Sequence, residues 1–295
     1  MKVTVTGSTG LIGDALVRSL RGDGHEVVRL VRHAPESPDE ARWDPLGGQV
    51  DAAALEGVDA VVHLAGAGVG DRPWTASYKR QIRESRVTGT RTLAEAIAAA
   101  SDRPRVLVSG SAVGYYGDTG DREITEDAPN GSGFLAEVTR DWEAATGPAA
   151  DAGVRVALAR TGIVLSGDGG LLGKVLPLFK LGLGGRLGDG RQWVSWISLP
   201  DQVAALRFLI DGDLAGPVNL TGPRPVTNAV YTKAIGQALH RPTALAVPAF
   251  ALRAALRDFA DEGPLVSQRV LPRRLEEAGF RFEHRDVNTA LHSVL

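Results

Sequence analysis

Apolar positions along this chain keep two periods, and the periods take turns. Val3 and Val5 alternate with polar neighbours, the period of a strand, and Leu11, Ile12, Leu16, Val17 and Leu20 then follow at helical spacing. Glu26–Val31 reads as a second strand. A loop with Pro35 and Pro38 leads to a short candidate strand around Ala41–Trp43. Val58–Ala65 is almost continuously apolar, as a strand buried on both faces requires. Trp74 to Ala100 reads as one long helix with Tyr78, Ile82, Leu93 and Ile97 facing inward. Pro104 separates it from a fifth strand, Arg105–Ser109. Phe134–Ala150 reads as helix, with Gly147-Pro148 able to end it early, and Val154–Ala159 is a sixth strand. Strands that alternate with helices predict an α/β chain with an open parallel sheet covered on both faces. The expected strand order is 3-2-1-4-5-6, with a ligand crevice at the switch point beside the first strand.

The second half changes character. Residues 166–190 are rich in glycine, a pattern that fits mobile loops, a substrate lid or a plain connector. Shorter helices are expected at about 200–211, 227–240, 248–260 and 286–294. The predicted architecture is a Rossmann-type doubly wound sheet over residues 1–165, with a smaller C-terminal α/β substrate lobe over 166–295. Segments of that lobe are allowed to return to the first domain.

The turn between the first strand and the first helix is the strongest chemical signal. It reads Thr6-Gly7-Ser8-Thr9-Gly10-Leu11-Ile12-Gly13. In a strand–turn–helix unit of this kind, Gly7 makes the tight turn and Gly10 lets backbone N–H groups approach a pyrophosphate. Gly13 lets the helix sit against the strand. The phosphates then rest on the positive end of the helix. The second strand ends Val31-Arg32-His33, where an NAD-preferring fold places an acid. A guanidinium there suits the adenosine 2′-phosphate, so NADP(H) is expected over NAD(H).

Composition narrows the field. The chain has 295 residues, 43% hydrophobic and 23% charged, with a net charge of −2. It contains no cysteine, which excludes disulfides, thiolate metal sites and cysteine nucleophiles. The six histidines at 25, 33, 63, 240, 284 and 292 lack metal-ligand spacing, so no metal is expected. The charge balance argues against nucleic acid, and no apolar run is long enough to span a membrane. A strand that starts at residue 2 leaves no room for a signal peptide, so a cytoplasmic location is expected.

With these residues in place, the chain resembles a short-chain dehydrogenase/reductase of the extended, epimerase-like kind. The likeness rests on the glycine turn, His63-Leu64-Ala65-Gly66, Arg86-Val-Thr-Gly-Thr90 and Ser109-Gly-Ser111-Ala-Val-Gly-Tyr115-Tyr116-Gly117. A narrower likeness is to the atypical sugar-nucleotide epimerase subgroup. It rests on Asp71–Thr75, Asp141-Trp-Glu143, Arg160-Thr161-Gly162, Gly190–Ile197 and Pro225–Asn228. The resemblance implies cofactor contacts from Ser8, Thr9, Leu11, Ile12, Leu64, Ala65, Gly66, Ser109, Arg160, Thr161, Gly162 and Ile163. Arg160 has an alternative role as partner to a carboxylate near the sheet.

The resemblance also implies an Asn, a Ser and a Tyr-x-x-x-Lys pair whose phenol exchanges a proton as hydride moves. Ser111 matches the serine. Arg86 stands at the asparagine position. The pair falls on Phe134 with Val138, or on Leu135 with Thr139, and neither set can exchange a proton in that way.

Three readings follow. A substitute acid–base acts, with Tyr115 or Tyr116 as the phenol and Arg86 lowering its pKa or binding an anionic substrate. Alternatively the protein is a non-catalytic NADP(H)-dependent redox sensor or regulatory binding protein. In the third, it is a scaffold with a vestigial glycine turn. Tyr116 can also be a packing residue with one satisfied hydroxyl. His63 is read as a satisfied core histidine. Trp74, Arg191, Trp193 and Trp196 are candidate substrate contacts, for a small molecule such as a nucleotide sugar; the tryptophans fit a packed interface between the lobes equally well, and Arg191 a surface ion pair. Related sequences usually continue after Trp196-Ile197 with His and a paired Asp. Here Ser198-Leu-Pro-Asp201 stands instead, with Pro200 suited to open a helix. A monomer or homodimer is expected.

Overall fold

The computed structural model describes residues 1–295. Its large sheet takes strands β1 (Lys2–Thr6), β2 (Glu26–Val31), β3 (Glu40–Asp44), β4 (Gln49–Val50), β5 (Ala60–His63), β6 (Val106–Ala112), β7 (Arg155–Thr161) and β8 (Gly216–Leu220). The spatial order is β8-β7-β6-β5-β1-β2-β3-β4. The six central strands therefore run 3-2-1-4-5-6 in sequence order, as expected. All neighbours pair in parallel except β3 and β4, which are antiparallel.

Strand alternation builds two cores. Val3, Val5, Ala60, Val62, Val106 and Val108 point to one face. There they meet Leu16, Val17 and Leu20 of α1 (Leu11–Gly22). Val61 and Leu107 point to the other face and pack on Leu93, Ala94 and Ile97 of α2 (Ala76–Ala99). A one-residue slip in any of these strands would send its apolar set to the wrong layer, so the pattern fixes the register. The helix α3 (Phe134–Ala144) ends early, and a short α4 (Gly147–Asp151) follows with Pro148 in its first turn.

The glycine-rich stretch is not simply a loop. It contains α5 (Gly170–Lys180), whose Leu172, Leu176 and Phe179 recur at helical spacing between the glycines and are buried. They form a third core with Leu165, Trp196, Tyr231 and Ile235. Next, α6 (Leu199–Asp211) packs on α1 and leads into β8 at the sheet edge. Ser198 caps α6 by accepting the Asp201 N–H, with Pro200 in the first turn. Asp201 is buried and accepts the backbone N–H groups of Glu283 and His284 at 2.8 and 3.0 Å. Ser198 and Asp201 thus tie the C-terminal segment to the start of α6.

Three further helices are α7 (Asn228–Leu239), α8 (Ala249–Leu256) and α9 (Phe259–Glu262). The single helix expected over 248–260 is broken at Arg257, which takes a left-handed φ of 53°. The chain ends with α10 (Arg273–Glu277) and α11 (Val287–Val294). No helix is long and apolar enough to cross a membrane.

Candidate functional site

Gly7, at φ 67°, makes the left-handed turn that ends β1. A Cβ there would lie 2.7 Å from the Leu64 carbonyl carbon and 2.8 Å from the Ala65 nitrogen, so the loop after β5 closes directly on the turn. A Cβ on Gly13 would lie 2.2 Å from the Gly7 oxygen. Packing explains both of these glycines. Gly10 is different. Its φ is −79°, and the nearest atom to a Cβ would be the Gly7 oxygen at 3.4 Å. Gly10 is exposed at the N-terminus of α1, and no side chain caps that helix. Backbone N–H groups of the first turn are thus left facing open space. Thr9 is exposed, Leu11 and Ile12 are half-buried, and Ser8 is buried under the turn.

At the end of β2, Arg32 and His33 stand exposed. The ion pairs of this region belong to Arg21 and Arg29, which share Asp39, and Arg29 also reaches Glu40 at 3.0 Å. Hydrogen bonds from Arg29, Ser37 and Arg21 hold the Asp39 carboxyl well below the usual range. Arg32 takes part in none of these pairs.

The loop after β5 is pinned by side chains of α2. Tyr78 donates to the Gly68 carbonyl at 2.5 Å, Ser85 accepts the Ala67 N–H at 3.1 Å, and Arg86 donates to the Ala67 carbonyl at 2.8 Å. His63 lies beneath it, fully buried. Thr6 Oγ1 accepts the N–H groups of Leu64 and Ala65, so its own proton goes to His63 Nδ1 at 2.7 Å. Nε2–H of His63 then donates to Thr90 at 2.9 Å. Burial, with the nearby Arg86 charge, pushes His63 down to about 4, and it is a neutral core residue.

Behind the ends of β6 and β7 lies a buried polar network. Ser111 donates to Glu143 Oε1 at 2.6 Å. Arg160 donates to both oxygens of Glu143 at 2.8 Å each, and to the Tyr116 hydroxyl at 2.9 Å. Tyr116 in turn donates to Asn219 Oδ1 at 2.7 Å. Burial pushes its phenol up to about 12. The alternative role of Arg160 is therefore the one its side chain plays, and its carboxylate partner is Glu143. Glu126 extends the network by accepting the Asn219 and Arg274 N–H groups, and burial raises its carboxyl.

The two adjacent tyrosines differ. Tyr116 is held on both sides. The Tyr115 hydroxyl bonds to no protein atom and is not sealed from solvent. Its ring carries the Arg160 guanidinium 3.5 Å from the centroid.

At the start of α3, Phe134 stacks edge-on against Trp74, and Val138 is buried with Trp74, Tyr78 and Ile82. Thr139 donates back to the Leu135 carbonyl at 2.7 Å. Neither register presents a proton-exchanging pair. Glu262 of α9 instead covers the helix end, accepting the Phe134 and Leu135 N–H groups at 3.0 and 2.7 Å. Nothing in the local sequence signals that contact, because its partners lie over a hundred residues apart.

Arg86 is half-buried against the Trp142 ring, 5.1 Å from its centroid. Burial pulls it down to about 10. Thr161 donates to Ala159 and accepts from Gln202, and a Cβ on Gly162 would meet the Ser195 oxygen at 2.5 Å. Ile163 is half-buried and pairs with Trp196 in a short parallel ladder. Gly66 lies in the loop after β5, whereas Ser109 sits within β6 opposite His63 and is 0% exposed, so its side chain does not reach a ligand.

Two of the substrate candidates are packing residues instead. Trp196 is 0% exposed and donates to the Arg224 carbonyl, and Trp74 is 4% exposed and donates to the Val69 carbonyl. An indole with no free face cannot stack on a ligand. Trp193 is half-buried, bonded to Asp121 and covered by Arg269 at 4.2 Å. Arg191 is exposed. No group of three metal-ligating side chains converges anywhere in the chain.

The pattern of the NAD dependent epimerase/dehydratase family matches residues 3–221, and a domain of unknown function, DUF1731, matches 247–294. An epimerase family protein of Mycobacterium bovis is 52% identical over 290 residues, 98% of this chain and 96% of that protein. The crystal structure of human epimerase family protein SDR39U1 with NADPH superposes with a TM-score of 0.92 at 33% identity, covering 100% of this chain and 99% of that one. The nucleoside-diphosphate sugar epimerase from Corynebacterium glutamicum gives a TM-score of 0.82 at 42% identity, covering 100% of this chain and 58% of that one. The glycine turn, the strand order and these relatives agree: the chain belongs to the NAD dependent epimerase/dehydratase family.

Proposed function

We propose that this protein binds NADP(H) in preference to NAD(H) and acts as an epimerase- or reductase-like oxidoreductase on a small polar substrate. A nucleoside-diphosphate sugar is the leading class. The observation that carries the reading is Gly10. No protein atom and no backbone angle demands a glycine there, yet one stands at the uncapped start of α1, where a side chain would fill the approach to the N–H groups. The pyrophosphate would rest on residues 7–13. Arg32 and His33 would hold the 2′-phosphate. The Leu64–Gly66 loop and the Thr161–Ile163 backbone would flank the ribose and nicotinamide. NADPH in the human relative supports the cofactor, and the name of the Corynebacterium relative supports the substrate class. The reading includes a cytoplasmic protein, monomeric or homodimeric.

The nicotinamide supplies hydride transfer when bound, and the chain's own residues must then move a proton. Tyr115 is the phenol still free to do so, with the Arg160 guanidinium lying over its ring. Ser111 has committed its proton to Glu143, so it offers a lone pair to a substrate hydroxyl or to Tyr115.

One observation favours a second reading. Both registers of the missing pair are filled by packing residues, as suits a sensor without turnover. The NADPH-loaded protein should be screened against nucleotide sugars and carbonyl compounds. Both cofactor absorbance and product identity must be followed, since internally recycled hydride leaves absorbance unchanged. An epimerised or reduced product supports the enzyme. Tight NADPH binding without any product supports the sensor.

A further inference from the structure

Arg86 is a cation without an acid. The carboxylates on the neighbouring α3 are taken: Asp141 pairs with Arg83 and Arg140, Glu137 faces Arg83, and Glu143 pairs with Arg160. Arg86 spends only Nη1 on the protein, donating to the Ala67 carbonyl at 2.8 Å and to the Ile82 carbonyl at 3.3 Å. Nε and Nη2 donate to no protein atom, and neither is sealed from solvent. The group cannot readily swing away. Its Cζ lies 5.1 Å from the centre of the Trp142 ring, and a Cβ on Gly66 would touch that Cζ at 3.4 Å. The loop it grips is the one whose other side closes on Gly7. A guanidinium held in place, half-buried and unpaired, is a site prepared for an oxyanion.

We propose that the free Nε–Nη2 edge of Arg86 binds an anionic group of the substrate, a carboxylate or a phosphate. This rests on the cofactor reading above, which puts the cofactor phosphates on the far side of the Leu64–Gly66 loop, at α1. A purely structural Arg86 would need only Nη1. The planar fork of the remaining donors matches two oxygens of one anion, which lysine cannot copy.

The test is calorimetric titration of NADPH-saturated protein with inorganic phosphate and, separately, malonate, at ionic strength held constant with chloride. Saturation with cofactor keeps phosphate off the α1 turn. Saturable binding of at least one anion is expected. R86M should weaken it about tenfold or more and R86K by less, while NADPH affinity stays within about twofold in both. Phosphate alone points to a phosphoryl substrate and malonate alone to a carboxylate. The proposal is overturned if neither anion saturates, if R86M binds as wild type does, or if R86M loses NADPH in parallel, since the guanidinium then serves the cofactor. Wild-type protein that takes no NADPH contradicts the cofactor reading, and the anion titrations on that protein are judged by the same criteria.

Discussion

Arg160 and Glu143 share two parallel N–H···O bonds of 2.8 Å inside the protein, with side-chain exposures of 4% and 9%. A buried pair of this geometry is costly to break from one side, because the remaining charge is left in a poor solvent. E143Q is expected to destabilise the fold by about 3–5 kcal/mol. S111A, which leaves the pair intact, should cost about 1 kcal/mol. Urea unfolding of the two variants measures both. A mild E143Q would show that the pair is not what anchors β7 to α3.

Gly10 and Gly13 should separate stability from binding. G13A drives a methyl into the Gly7 carbonyl, so its melting temperature should fall by several degrees or the protein should fail to fold. G10A meets no close protein atom and should melt as wild type does, yet lose NADPH affinity about tenfold or more. Thermal melts and cofactor titration of both variants decide this. G10A that binds NADPH normally would remove the main support for the phosphate cradle.

The tyrosines make an equally sharp pair. Y116F removes the bond to Asn219 and the acceptor for Arg160, and should cost about 1–3 kcal/mol. Y115F should leave stability within about 0.5 kcal/mol of wild type and suppress turnover of any substrate found. Full activity in Y115F would exclude it as the proton donor.

His63 predicts an acid sensitivity. Its folded pKa of about 4 lies below the ordinary 6.5, so in that window the unfolded chain binds more protons. Its contribution is fully present above about pH 6.5 and is lost as the pH falls toward 4, by about 3 kcal/mol in all. Denaturant unfolding across that range should show H63Q losing stability less steeply than wild type. Parallel slopes would contradict a neutral, buried imidazole.

Much of the nucleotide-binding half was legible because its signals are local. Val3 and Val5 alternate, Leu16 and Leu20 fall one turn apart, and each periodicity is set by one strand or one helix. The site beyond the glycine turn was less legible because it is assembled across the chain. Sequence could suggest that Arg160 meets an acid, but only the packing of α3 against the sheet brings Glu143 to it. Glu262 reaches α3 from α9, and no spacing encodes that. The helix at 170–180 was masked by flanking glycines, although its leucines keep the helical period. Trp74 and Trp196 fit a ligand contact or a packed interface in the sequence because an indole serves a core and a binding face equally well, and only burial separates the two.

The central claim is the NADP(H) site, and Arg32 is its most direct probe. Tryptophan-fluorescence titration of wild type and R32A with NADPH and NADH gives four affinities. The account predicts that wild type binds NADPH more tightly than NADH, and that R32A weakens NADPH about tenfold or more while leaving NADH within about twofold. Tighter binding of NADH by wild type, or an R32A variant that keeps its NADPH affinity, would contradict it.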